Sequence, residues 1–249
     1  MSGHSKWSQI KRQKGVADAK RGQLFTKLGR EISVAVRQGG ADTQSNFKLR
    51  LIIQKARDNN MPLENIDRAI KRASGGTDGV ALSEISYEGY GPGGSAILVQ
   101  VLTDNKNRTL NEVRNILSRG GGNMGESGSV TWVFEPRGVI NIDASKVNAE
   151  EIALFAIDAG AEDVKVEGSI LEVHTKPQDL EAVRKALESN RVLIASSELS
   201  MVPKTMVKLD EKAALQALKL LDKLEELDEV QHVYTNADFP DDVIGKYQG

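Results

Sequence analysis

Cysteine is absent from the 249 residues, so no disulfide framework, thiolate metal site or cysteine nucleophile can be built, and the chain suits a reducing cytoplasm. Histidine is scarce. His4, His174 and His232 fall on separate segments with no H-E-x-x-H pair and no neighbouring ligand set, so no metal is expected. No apolar run is long enough to span a membrane. The opening residues, from Met1 to Trp7, place no apolar stretch behind their positive charges, unlike a secretory signal. Neither G-x-S-x-G nor G-x-x-x-x-G-K-[ST] occurs, which removes the local signatures of a serine nucleophile elbow and of a P-loop. Aromatic residues are only 4% of the chain, and no ribonucleoprotein motif provides an aromatic platform for RNA. Otherwise the composition, 39% apolar and 27% charged, is that of an ordinary globular protein.

Net charge is also small, -2, but it conceals an asymmetry. Residues 1–76 hold 16 Lys and Arg against 6 Asp and Glu, a net of +10, and the remainder holds 17 against 29, a net of -12. Such a split points to a polyanion-binding head on an acidic body; the alternative is that the charges only solvate helix faces. Within the head, Lys6, Lys11, Arg12 and Lys14 form a basic arm around Trp7, which either stacks on a base or docks the arm on the first helix. The spacing predicts that helix over 17–38, with Leu24, Phe25, Leu28, Ile32 and Val36 inward and Lys20, Lys27, Arg30 and Arg37 opposite. With Arg21, these cations and the arm form the candidate phosphate-binding set. Helices over 46–58 and 63–73 complete a three-helix bundle.

Beyond a linker at 77–82 the pattern becomes strand-rich. Tyr87 to Gly94 reads as a glycine loop, Ala96 to Leu102 as a buried strand, and Thr109 with Glu112 as the capping box of a helix. A second glycine loop, Gly120 to Gly125, leads into an alternating strand over 130–134. From 138 to 201 the order is strand, helix, strand, strand, helix, strand, that of a ferredoxin-like unit. A further βαβ between Met206 and Thr235 would complete a second such sheet with the earlier strands. The predicted fold is therefore α+β: an N-terminal three-helix bundle plus two ferredoxin-like α/β sandwich domains, one inserted in the other. Its domains are 1–78, a discontinuous 79–136 with 204–240, an inserted 137–203, and a short acidic tail, 241–249, with little to hold it.

Both glycine loops match G-x-G-x-x-G, at Gly89, Gly91, Gly94 and at Gly120, Gly122, Gly125. Neither joins a strand to the start of a helix, as a dinucleotide site requires, so they read as tight turns or close backbone approaches, and no cofactor is expected. Asp104-Asn105-Lys106-Asn107 does not suit calcium, because Lys106 stands where an oxygen ligand is wanted. Lys106, Arg108, Arg114 and Arg119 offer either a second anion contact or solvated surface charge.

These segments are similar to those of the YebC/PmpR family, whose mitochondrial relative is the translational activator of cytochrome c oxidase. The resemblance runs nearly end to end. It rests on Gly3-His4-Ser5-Lys6-Trp7, Asp18-Ala19-Lys20-Arg21-Gly22, Met61-Pro62, Tyr87-Glu88-Gly89-Tyr90, Asp104-Asn105-Lys106-Asn107-Arg108-Thr109, Gly121-Gly122-Asn123 and Leu227-Asp228-Glu229-Val230-Gln231. The family commonly has Arg where Lys106 stands, a change that keeps charge but loses bidentate geometry. The resemblance implies a cytoplasmic, three-domain, non-enzymatic regulator of gene expression. It acts either as a translation factor on the ribosome, helping at difficult proline-rich stretches, or as a DNA-binding transcriptional regulator. The implied partners are ribosomal RNA or DNA; the charge of the acidic body adds basic partners such as ribosomal proteins, and no membrane partner is expected. A Lys/Arg surface mainly reads phosphate rather than sequence, which favours structured RNA.

Overall fold

The computed structural model describes residues 18–75 and 82–247. They divide into two compact units. One takes in the described residues up to Ala56, Asn60–Glu135 and those from Pro203 onward; the other is Pro136–Val202 with Arg57–Asn59.

The first unit begins with three helices, α1 (Asp18–Gly39), α2 (Phe47–Asp58) and α3 (Leu63–Ser74). Their apolar stripes meet as the periodicity requires: Leu28, Ile32 and Val36 of α1 close on Leu49, Ile52, Ile53 and Ala56 of α2 and on Ile66 of α3. Asn46 ties the α1–α2 corner. Its Oδ1 accepts the Leu49 N–H (3.0 Å), capping α2, while its Nδ2 donates to the carbonyls of Ala35 and Gly40, both at 2.8 Å. Because Asn46 is buried, Asn46→Ala removes a cap and strands two carbonyls; a stability loss of about 2 kcal/mol is expected in urea denaturation. Asn46→Asp should not rescue it, since a carboxylate cannot donate to those carbonyls. A loss below about 0.5 kcal/mol would show that water replaces the amide.

After the bundle comes a four-stranded sheet in the order β3-β1-β2-β9, formed by β1 (Ser83–Tyr90), β2 (Ala96–Thr103), β3 (Asn123–Met124) and β9 (Val230–Thr235). Helices α4 (Lys106–Arg119) and α7 (Glu211–Glu225) supply Val113, Leu117, Ala217, Leu218 and Leu221 to the core that buries Ile97, Val99, Val101, Val230 and Val233. Several sequence expectations change here. Tyr87 to Tyr90 belong to β1, paired along their length with β2, so the loop shrinks to a 3₁₀ turn over Pro92–Gly94. Helix α4 starts earlier than a Thr109 capping box predicts. Asn105 is the cap, accepting the Arg108 N–H, and Thr109 is buried with its hydroxyl 2.8 Å from that of Thr103. The βαβ order after Met206 is present, but β8 (Val207–Lys208) pairs in parallel with β10 (Ala237–Asp238) and does not extend the four-stranded sheet.

The strand expected over 130–134 is a 3₁₀ turn, Thr131–Val133, and only Phe134 enters the strand that follows. The reason is Glu88. Its buried carboxylate leaves β1 and accepts the N–H groups of Gly128 (2.7 Å), Val130 (2.7 Å) and Thr131 (2.8 Å). Three donors taken by one carboxylate bend the chain out of a ladder. Val130 and Val133 remain buried, as the apolar pattern suggests, while Trp132 is 67% exposed.

Nor is the tail loose. Val243 of α8 (Asp241–Lys246) joins the core in which Phe239, just ahead of the tail, is fully buried, and the Tyr247 hydroxyl donates to Asp222 Oδ2 at 2.5 Å.

The second unit follows the ferredoxin-like order. Strands β4 (Phe134–Asp143), β5 (Asp163–Glu167), β6 (Ile170–Thr175) and β7 (Ile194–Pro203) alternate with α5 (Ala149–Asp158) and α6 (Leu180–Ser189), and the sheet order is β5-β6-β4-β7. Ile140, Ile142, Leu171 and Val173 alternate with Asn141, Glu172 and His174, the period-two pattern of a strand. Glu172 and His174 are both buried and meet through Oε1 and Nε2 at 2.5 Å.

Candidate nucleic-acid interface

Of the candidate phosphate contacts, Lys6, Trp7, Lys11, Arg12 and Lys14 lie outside the described residues. Lys20 belongs to α1, and the description of side chains begins after it. Arg21 and Arg37 are exposed on α1.

Lys27 and Arg30 are placed differently from a free cationic face. The Lys27 ammonium donates to the carbonyl of Glu225 (2.5 Å), and Arg30 Nη1 donates to that of Asp228 (2.7 Å). Gln23 Nε2 adds a bond to the Glu226 carbonyl at 2.6 Å. These oxygens cluster at the C-terminal end of α7, where carbonyls lack intrahelical donors and the helix dipole favours positive charge. One stretch of the basic helix is thus spent on docking α1 to α7, and Lys48 of α2 pairs with Glu84 of β1, at 3.2 Å.

Elsewhere on the bundle, α3 exposes Arg68, Lys71 and Arg72. Arg68 pairs with Glu64 one turn earlier, at 3.2 Å. The signal for these residues lay in the same periodicity that placed Ile66, Ala69 and Ile70 inward, since Arg68, Lys71 and Arg72 fall off that stripe.

The four cations around α4 differ in their surroundings. Arg108 is committed to Asp104 (2.6 Å) and Glu229 (3.0 Å). Lys106, Arg114 and Arg119 are exposed, and the Lys106 carbonyl accepts the Tyr87 hydroxyl at 2.9 Å.

The two glycine loops meet backbone to backbone. β1 pairs with β3 through Gly89 opposite Met124 and Tyr90 opposite Asn123, and the Gly125 N–H donates to the Glu88 carbonyl at 2.8 Å. A Cβ at Gly122 would overlap the Tyr90 carbonyl, and one at Gly89 would sit 2.8 Å from the carbonyl of Asn123. Close approach therefore accounts for glycine at both positions.

His232 stacks on Tyr234, with ring centroids 5.7 Å apart, and its Nε2 lies 3.6 Å from Glu31. Among the described residues no group of His, Asp and Glu is arranged to hold a metal ion, and no helix is long and apolar enough to cross a membrane.

Family models match both parts of this architecture: the TACO1/YebC N-terminal domain over residues 5–76 and the TACO1/YebC second and third domain over 82–237. The chain belongs to the TACO1/YebC family. A relative from Dehalococcoides mccartyi, named a probable transcriptional regulatory protein, is 55% identical over 247 residues, covering 99% of this chain and 98% of its own length. Another, of the same name from Moorella thermoacetica, is 54% identical over 96% of each chain. The crystal structure of a conserved hypothetical protein from Aquifex aeolicus superposes with a TM-score of 0.83 at 44% identity, covering 90% of this chain and 93% of that one. TACO1/YebC membership thus accounts for helices followed by antiparallel sheets, and the curated relatives are named as regulators rather than as enzymes.

Proposed function

We propose that the protein is a non-enzymatic, cytoplasmic regulator of gene expression that grips the phosphate backbone of structured RNA, ribosomal RNA foremost, through its basic head. As a translation factor it would help at difficult, proline-rich stretches. The observation that carries this reading is the charge split, +10 over residues 1–76 against -12 over the rest. Exposed Arg21, Arg37, Lys71 and Arg72 support it on the described part of the head. We place the domains at 1–78, 79–136 with 204–240, and 137–203, so that the acidic body can receive basic partners such as ribosomal proteins while the head anchors.

DNA is the second reading, supported by the relatives named probable transcriptional regulatory proteins. Ultraviolet crosslinking in growing cells, followed by sequencing of attached RNA and DNA, separates the two. Crosslinks concentrated in ribosomal RNA, and lost in a Lys11→Glu, Arg12→Glu, Lys14→Glu variant, are expected. Enrichment at discrete promoters with ribosomal RNA at background would make the protein a transcriptional regulator.

In vitro, affinity for RNA should fall with salt by a log-log slope of about 0.7 per neutralised phosphate on single strands. Lys27→Met and Arg30→Met should leave that slope nearly unchanged while lowering stability, because both side chains serve the α7 terminus. A flat salt response of the unaltered protein would overturn phosphate binding by the head.

A further inference from the structure

Trp132 stands in a setting that its solvation alone does not explain. A lone exposed apolar side chain is normal on a protein surface and usually mobile. This one is 67% exposed yet held at its polar edge and along its backbone. Its indole Nε1 donates to the Ser129 carbonyl at 2.9 Å, and the hydroxyl of Tyr90, itself 36% exposed, donates to the same oxygen at 3.2 Å. The N–H of the preceding residue, Thr131, is held by Glu88. The Trp132 carbonyl in turn accepts from the Lys204 ammonium at 3.0 Å, a group with two further protons to offer. Two exposed rings are therefore fixed at one point by their polar edges, leaving ring surface toward solvent with a cation beside it.

From this geometry we infer that Trp132 and Tyr90 form a stacking platform for an unpaired nucleobase, with Lys204 placed for the adjoining phosphate. The inference rests on the nucleic-acid reading above and adds to it a base contact outside the basic head. A base presents a planar π-face and a neighbouring negative charge, which are what an aromatic pair next to an ammonium accepts. Because the rings are already held, little ordering entropy opposes binding. Sequence alone hid the platform: Trp132 sits in a run whose alternation reads as a strand, and Tyr90 in one that reads as a loop.

The test uses the full chain and two fluorescein-labelled 12-nucleotide RNAs, one of adenosine and one of equal charge with abasic residues at alternate positions. The unaltered protein should bind the adenosine RNA more tightly. Trp132→Ala should weaken adenosine binding by about tenfold and abolish the preference over the abasic strand, and Trp132→Phe should restore most of both. A thermal melt matching that of the unaltered protein shows that Trp132→Ala is folded. In Trp7→Phe protein, where Trp132 is the sole indole, adenosine RNA should quench the emission. If Trp132→Ala binds both strands as the unaltered protein does, the platform is overturned, and the head's phosphate reading stands as long as its charge-reversal variant loses binding. Failure of the unaltered protein to bind these RNAs and ribosomal RNA alike overturns both.

Discussion

Phe239→Ala is expected to lower the unfolding free energy of the first unit by about 3–5 kcal/mol, the range for deleting a fully buried aromatic ring. Phe239 sits in the core shared by the β2–β9 sheet and α7, and β10 fixes its approach by pairing Ala237 with Val207. The loss comprises both the transfer of the ring from water and the cavity left among leucines and valines that relax only partly. Amide hydrogen exchange checks it by location as well as by size: protection should drop across α7 and β9. A loss under about 1 kcal/mol, with α7 still protected, would show that the core closes without the C-terminal segment.

Glu88→Gln should cost about 2–3 kcal/mol at neutral pH, since a buried charged acceptor of three N–H donors is replaced by an amide that can offer only one oxygen. The donors are split between the two carboxylate oxygens, Gly128 on Oε1 and Val130 and Thr131 on Oε2, so either amide orientation sets an NH₂ against a backbone N–H. Burial pushes the Glu88 carboxyl up, but the backbone N–H groups of Gly128, Val130 and Thr131, with the Thr131 hydroxyl, outweigh it and hold the carboxyl below its ordinary value of 4.5. The unfolded chain then binds the proton more readily than the folded one. The stabilisation is fully present above about pH 4.5 and is lost as pH falls through the lower, folded value. Urea unfolding at stepped pH should therefore show the gap between Glu88→Gln and the unaltered protein narrowing as pH drops from 7 to 3. A gap of constant width would mean that the carboxylate charge is not what holds the turn. Because Trp132 rides on that turn, Glu88→Gln should also weaken the stacking described above.

Local periodicity by itself determined much of this protein. The apolar stripes at 3.6-residue spacing settled α1, α2 and α3 to within a residue or two, and the alternation of strands and helices after Gly138 predicted the ferredoxin-like order of the second unit. Charge along the chain located the basic head, because counting needs no coordinates. Tertiary structure decided what local patterns cannot carry. Lys27 and Arg30 looked equivalent to Arg21 and Arg37 on a helical wheel, yet they donate to carbonyls 198 residues away. The run from Val130 to Phe134 has the period of a strand and keeps its inward valines, but Glu88, 42 residues earlier at the Val130 N–H, took the donors that a ladder would have used. The few apolar residues after Thr235 gave no periodic signal, and the core beside α7 took in Phe239 and Val243. In each case a backbone donor, a carbonyl or a void required a partner, and the group that reached it came from a distant part of the chain.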